Sequence, residues 1–253
     1  MLLALLGAVL IGLVLGLLGS GGSILTVPVL LYLVHMPDKL AIGASLGIVG
    51  GISLVGALPY ARQRLVQWRW VLWFGIPDMA GAWAGAWIAE FLSGEVQLLI
   101  FAAVMLTAAV MMLRRRVTEA AEPRRHVLWK IVLIGFGVGV LAGIVGVGGG
   151  FLIVPALVLL GGLDMRQAVA TSLVVIMLAA FTGFVRHLLS LSAQGLHVDW
   201  RIIGVFVLVG AAGSLAGHQF AKRLPQALLR RIFGVFLFAM VAYVIWHTLP
   251  RVW

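Results

Sequence analysis

Apolar runs of about twenty residues recur along almost the whole chain, and each is as long as a helix must be to cross a bilayer. Of the 253 residues, 63% are hydrophobic and 10% are charged. A soluble domain is nearer half apolar and about a quarter charged. The mean hydropathy is +1.16. The sequence therefore predicts an all-α polytopic membrane protein that has no soluble domain. We expect the lipid bilayer to be one of its partners.

The apolar runs divide into five segments in each half of the chain. An arginine-rich connector, 114–127, separates a first transmembrane repeat, 1–113, from a second, 128–253. The first segment has no basic residues before it, so we interpret it as a retained helix and not as a signal peptide. The ten segments are 2–18, 23–36, 40–60, 70–90, 96–113, 128–145, 150–162, 167–188, 201–221 and 228–249.

The two halves are related in sequence. When the chain is shifted by 127 positions (139 − 12), GSGGSILTVP at Gly19–Pro28 aligns with GVGGGFLIVP at Gly146–Pro155. At a shift of 132 (198 − 66), VQWR at Val66–Arg69 aligns with VDWR at Val198–Arg201. A long internal repeat in a membrane protein is typical of transporters built from two related halves.

Basic residues cluster in three loops, which sets the predicted orientation because cytoplasmic loops are rich in Lys and Arg. The formal net charge of +10 is therefore a topology signal, and we expect no nucleic-acid partner. Both termini are then outside, and five segments per half make the second repeat inverted relative to the first. The basic residues of the three loops are Arg62, Arg64, Arg69, Arg114, Arg115, Arg116, Arg124, Arg125, Lys130, Lys222, Arg223, Arg230 and Arg231.

Glycine-rich turns precede the two shortest segments, 23–36 and 150–162. A helix over 23–36 is about 21 Å long, which is shorter than a hydrocarbon core of about 30 Å. We therefore expect broken or re-entrant helices 1–2 and 6–7 that meet at their turns near the midplane. Free N–H groups at the start of each short helix would bind an anion without a buried cation. The predicted substrate-binding residues are Gly19, Ser20, Gly21, Gly22, Ser23, Ser45, Gly146, Gly148, Gly149, Gly150, Thr171 and Ser172.

Other glycines favour a different role. Gly12 and Gly16, like Gly139 and Gly143, are four residues apart, a spacing typical of closely packed membrane helices. Close packing is also the alternative role for the paired turns themselves.

Two ionisable residues fall inside predicted segments. Asp78 follows Pro77 near the middle of the fourth segment. Burying a carboxylate at that depth costs free energy, and such residues are usually functional. Asp78 is predicted to be a proton-coupling residue or a gate. The alternatives are a protonated or hydrogen-bonded structural residue beside a proline kink, or a shifted segment in which Asp78 is nearer water. His218 is close to the basic end of the ninth segment, so we expect an interfacial side chain. With no cysteine and no ligand spacing among the six histidines, no metal or cofactor is expected.

The motifs GSGGSILTVPVLL and GVGGGFLIVPALVLLGGLDMRQAVATSL resemble the sulfite exporter TauE/SafE family of membrane transporters along essentially the whole chain. The resemblance implies secondary transport of sulfite, thiosulfate or organosulfonates, in the direction of export, in a bacterial inner membrane. In the first half, Ser20 and Ser23 stand where the second half has Val147 and Gly150, which leaves the substrate open. A passive anion channel and a carrier of small organic carboxylates are the alternatives. No nucleophile–base pair is evident, so we do not expect an enzyme. Nothing in the sequence indicates which oligomeric state the protein adopts.

Overall fold

The protein is described here by a computed structural model. It places the backbone of residues 2–20, 22–89, 91–92, 96, 100, 103–104, 106–107, 109–110, 113, 128–145, 150–193 and 198–252.

Helices cover most of the described chain, and no strand occurs within the described ranges. The all-α prediction is confirmed there, and the helices fall on the expected apolar segments, with 96–113 described only in part. In chain order they are α1 (Leu2–Leu18), α2 (Gly22–Tyr32), α3 (Asp38–Arg62), α4 (Trp68–Trp70), α5 (Ile76–Ala89), α6 (Leu128–Val145), α7 (Gly150–Pro155), α8 (Met165–Ala193), α9 (Trp200–Arg223) and α10 (Gln226–Val252), with π-helical turns at Val71–Gly75 and Ala156–Leu160.

Three of these helices are long and apolar enough to cross a membrane among the residues described: Leu40–Arg62, Met165–Val185 and Trp200–Arg223. Large apolar side chains remain exposed on them and on their neighbours, for example Leu208 at 74% and Trp83 at 65%. Surfaces of this kind are stable only against lipid or another protein. The chain is therefore an integral membrane protein by fold as well as by composition.

The chain forms two compact units, and each takes helices from both halves of the sequence. Unit 1 comprises Met1–Gln67 and Val169–Arg223, and unit 2 comprises Trp68–Ala168 and Leu224–Trp253. The division of the sequence at 114–127 remains a prediction, because that connector lies outside the described residues.

In unit 1, α1 packs along α9, which also packs against α3. A methyl group at Gly12 would overlap the backbone carbonyl of Gly210, and one at Gly16 would overlap that of Ser214. Both α1 glycines therefore serve close helix packing, as their spacing predicted.

In unit 2, α5 packs along α6 in the same manner. A methyl group at Gly139 would overlap the backbone carbonyl of Asp78, and one at Gly81 would overlap that of Phe136. The same helix-to-helix contact therefore occurs in each unit, at positions that the sequence repeat pairs with one another.

The ends of the two short helical segments also match. In the first, the Met36 N–H donates to the Leu30 carbonyl at 3.0 Å, and in the second the Leu163 N–H donates to the Leu157 carbonyl at 3.1 Å. The residue that reverses the chain has a positive φ in both, 58° at His35 and 68° at Gly162. These pairs are again 127 positions apart (162 − 35), so one local structure is built twice.

Candidate functional site

The helix break predicted between the first two segments is present in unit 1. α1 ends at Leu18 and α2 begins at Gly22. Gly19 reverses the chain with φ of +79°, a left-handed conformation that favours glycine. A Cβ atom on Gly19 would lie 2.6 Å from the Ser172 hydroxyl oxygen and 2.8 Å from the Val169 Cα. Gly19 is therefore required both by its backbone conformation and by the close approach of α8.

The carbonyls freed by this break are hydrogen-bonded by hydroxyl groups from distant helices. The Tyr60 hydroxyl of α3 donates to the Gly16 carbonyl at 2.8 Å. The Ser172 hydroxyl of α8 has one hydrogen and two acceptors within reach, the Val169 carbonyl of its own helix at 2.9 Å and the Gly19 carbonyl at 3.1 Å. A buried carbonyl without a hydrogen-bond donor is destabilising. These two side chains therefore allow the helix to be interrupted at a place where water does not reach the backbone.

Two serines predicted to bind substrate lie in the turn itself. The Ser23 hydroxyl donates to the Ser20 carbonyl at 2.8 Å. Ser20 is fully buried, and its hydroxyl has no hydrogen-bond partner among the described residues. Three carbonyls of the break (Gly16, Gly19 and Ser20) thus have a hydroxyl donor within hydrogen-bond distance. The N–H groups of the first turn of α2 have no acceptor within their own helix.

Two further predicted residues are buried but bonded elsewhere. The Ser45 hydroxyl donates to the Ile42 carbonyl of its own helix at 2.7 Å. The Thr171 hydroxyl accepts the Gln67 N–H at 3.1 Å, which ties α8 to the loop after α3. The structure therefore brings Ser172 to the Gly19 turn, whereas Ser45 and Thr171 have local structural partners.

The second predicted turn is described only at its end. Gly146, Gly148 and Gly149 lie outside the described residues, as does Gly21 of the first turn. Gly150 is buried and begins α7 in unit 2.

Asp78 is in unit 2, in the first turn of α5. It is 3% exposed, and its Oδ1 atom has no hydrogen-bond partner within the described part of the chain. The hydrogen-bonded structural role is therefore unsupported at this oxygen. The role in proton coupling or gating stays a prediction.

The His218 side chain is not exposed, as an interfacial histidine was expected to be. The side chain is 2% exposed, because α9 turns it inward towards α3. Its Nε2 atom lies 3.0 Å from the Gln63 Nε2 atom, and its ring meets that of Tyr60 edge-on with centroids 4.2 Å apart.

Tyr60 is the residue at this site that the sequence pattern did not single out. The signal was weak: one tyrosine at the end of an apolar segment, whose hydroxyl needs a partner when it is buried. Its partner is a carbonyl 44 positions away, which only the fold reveals.

Chemically, the break offers hydroxyl and N–H donors in an apolar setting, which suits a small anion. No group of three or more His, Asp and Glu residues that could hold a metal ion occurs in the part of the chain that the structure describes.

Comparison with known proteins identifies membrane transporters as relatives of this chain. The sequence profile of the sulfite exporter TauE/SafE family matches residues 4–244. A probable membrane transporter protein of Xylella fastidiosa strain 9a5c is 34% identical over 249 residues, covering 94% of this chain and 92% of the relative. The probable membrane transporter protein YunE of Bacillus subtilis strain 168 is 32% identical over 253 residues, covering 88% of each chain. No solved structure matches the chain. The chain therefore belongs to the sulfite exporter TauE/SafE family and is a membrane transporter.

Proposed function

We propose that this protein is a secondary transporter of small sulfur-containing anions, such as sulfite, thiosulfate or organosulfonates, and that it binds them at the Gly19–Ser23 turn. The observation that carries the proposal is the hydrogen bonding of the helix break. Hydroxyl groups occupy the Gly16, Gly19 and Ser20 carbonyls, whereas the Ser20 hydroxyl, fully buried, has no partner in the described chain. The oxygen atoms of an oxyanion would accept hydrogen bonds from donors of this kind.

The size and charge of the substrate follow from this chemistry. A helix N-terminus stabilises negative charge by its free N–H groups and its dipole. The turn has no lysine or arginine, so a small ion of low charge fits it better than a polyanion. Family membership favours sulfur oxyanions. A carboxylate would use the same donors, which makes it the control substrate in the test below.

Alternating access through two inverted repeats is the transport mechanism that we propose. Two matched features support it. The Gly12–Gly210 packing contact in unit 1 corresponds to the Gly139–Asp78 contact in unit 2, and the chain reversal at His35 corresponds to that at Gly162. By the same repeat, we propose that Gly146, Gly148, Gly149 and Gly150 serve the substrate as the first turn does. Fixed donors without coupled movement would instead give a passive channel.

The membrane orientation is part of the proposal. We place the basic loops in the cytoplasm of a bacterial cell and both termini outside the inner membrane, with export as the direction. In unit 1, the Gln67–Thr171 and Gln63–His218 contacts bring together the end of α3, the start of α8 and the end of α9. In unit 2, the Arg166 side chain donates to the Leu224 carbonyl at 3.3 Å. The basic ends thus contact one another within each unit, as a shared cytoplasmic side requires.

Uptake into proteoliposomes tests the proposal. Labelled sulfite, thiosulfate, a sulfonate and a carboxylate control are supplied with and without a pH gradient. We expect saturable, mutually competing uptake of the sulfur anions, reduced at least tenfold by Ser20→Ala. Thr107→Ala is the control, because that exposed hydroxyl bonds only its own helix at Ala103. Equal uptake by both variants would refute the turn as the binding site. Linear, non-saturating flux would indicate a channel, and preference for the carboxylate would replace the substrate class.

A further inference from the structure

A buried histidine connects the solvent-facing end of α3 to the helix break. His218 of α9 packs edge-on against the Tyr60 ring, with centroids 4.2 Å apart. The Tyr60 hydroxyl donates to the Gly16 carbonyl of α1 at 2.8 Å. Gly16 lies one turn before Gly19, so one line of side-chain contacts runs from His218 to the α1 end of the break.

The contact between His218 Nε2 and the Gln63 amide bears on the protonation state of the ring. The Gln63 Nε2 atom, 3.0 Å from His218 Nε2, is a donor without acceptor capacity. With the Gln63 amide in this orientation, His218 Nε2 accepts, and the ring is neutral with its proton on Nδ1. Nδ1 is buried and has no hydrogen-bond partner within the described residues. Adding a proton at Nε2 would require the Gln63 amide to rotate and present its oxygen.

Gln63 lies between His218 and a cavity at the end of α3. It is exposed at the end of α3 and lines a cavity of about 400 Å³ together with Pro59, Arg62 and Leu215. His218 itself is 2% exposed. Gln63 therefore contacts both this cavity and His218 Nε2.

The charged side chains nearest to His218 along α3 and α9 are basic. The two helices packed against α9 are α1 and α3. The first has no ionisable side chain, and the second offers Tyr60 and, at its end, Arg62. On α9 itself, Lys222 follows one turn later. No carboxylate is present on α1 or α9, and the acidic residue of α3, Asp38, begins that helix at its opposite end.

We propose that His218 binds a proton during transport and acts, through Tyr60, as a positioning residue for the Gly19–Ser23 turn. This inference rests on the proposed function. One proton adds to Nε2, the ring becomes an imidazolium, and Gln63 rotates from donor to acceptor. The imidazolium shifts against the Tyr60 ring, whose hydroxyl holds the Gly16 carbonyl. The negative charge of the bound anion stabilises the protonated ring, so anion and proton binding favour each other.

The pH profile of sulfite uptake by the full-length protein in lipid vesicles tests this role. We expect His218→Gln to flatten the profile between about pH 5 and 8, where a histidine titrates. Gln63→Glu places a carboxylate beside the ring, and it should move the midpoint of the profile upward by about one pH unit or more. Gln63→Leu removes the amide without adding charge, so it should give no upward shift. His35→Gln, the same substitution at an exposed histidine, should keep the wild-type profile.

A direct measurement accompanies the uptake assay. Nitrogen-15 NMR of the histidine-labelled protein should show the His218 resonances, assigned by their loss in His218→Gln, as the Nδ1–H tautomer at high pH. They should become doubly protonated as the pH falls. Uptake whose pH profile is unchanged by His218→Gln, or a His218 ring that does not titrate, overturns this proposal alone. Absence of sulfur-anion uptake by the wild-type protein at every pH overturns the proposed function and this proposal with it.

Discussion

Substitution of Gly19 by alanine tests the close backbone approach that defines the helix break. Gly19 has a φ of +79°, and a non-glycine residue in that conformation costs about 1–2 kcal/mol. The added Cβ would lie 2.8 Å from the Val169 Cα, whereas carbon atoms rest at about 3.5–4.0 Å. Because Val169 Cα is backbone, α8 would have to move.

That movement would also cost a hydrogen bond. The Ser172 hydroxyl, 3.1 Å from the Gly19 carbonyl, would be separated from it. A buried carbonyl left without a donor costs about 1–3 kcal/mol. The total expected for Gly19→Ala is therefore about 2–5 kcal/mol, from strain and the lost bond together.

Gly162→Ala is the matched control. Gly162 has a φ of +68° in an exposed turn, so alanine there meets the same backbone strain of about 1–2 kcal/mol. Gly204→Ala controls for the substitution itself, because nothing lies within 4 Å of a Cβ at that position. Thermal unfolding in detergent and anion uptake are measured for all three. We expect the lowest stability, and at least a tenfold loss of uptake, in Gly19→Ala alone. If Gly19→Ala matched Gly162→Ala in both assays, the close-approach argument would be refuted.

Three further predictions concern the break, a helix end and the buried carboxyl. Tyr60→Phe leaves the Gly16 carbonyl without its donor and should destabilise the protein by about 1–3 kcal/mol, seen as a lower unfolding temperature; an unchanged temperature would contradict the capping role. His35→Gly relieves a φ of 58° and should stabilise the protein by about 1 kcal/mol, whereas the reciprocal Gly162→His should destabilise it; the opposite order in a thermal scan would count against the matched turns. Asp78→Asn should leave anion binding largely intact and abolish proton-driven flux; unchanged pH-dependent flux would make Asp78 a structural residue.

Much of the fold was predictable because a helix that crosses a membrane needs a long run of apolar residues, which is visible in the sequence. Apolar length predicted the helices, and glycine spacing predicted the packing of α1, where Gly12 and Gly16 meet the backbone of α9. The break at Gly19 was predictable for a similar reason, since a cluster of glycines destabilises a helix and permits a positive φ.

The candidate site was predictable only in part. Ser20, Ser23 and Ser172 do surround the first turn, but Ser45 and Thr171 bond elsewhere. A hydroxyl group on a helix bonds to its own backbone as readily as to a ligand, and sequence alone does not distinguish the two. His218 was misplaced because its proximity to basic residues suggested an interface, whereas its rotation around α9 turns it inward.

By itself, the sequence determined that this chain is a helical membrane protein with a repeated glycine motif, and that the first motif interrupts a helix. These properties depend on hydropathy, composition and local backbone preference, which follow from the order of residues along the chain. The tertiary structure decided which groups make the break tolerable, because the donors to Gly16 and Gly19 come from Tyr60 and Ser172, 44 and 153 positions away. A hydrogen bond requires two atoms within about 3 Å, and only the packing of α1 with α3 and α8 brings such distant hydroxyls to these carbonyls.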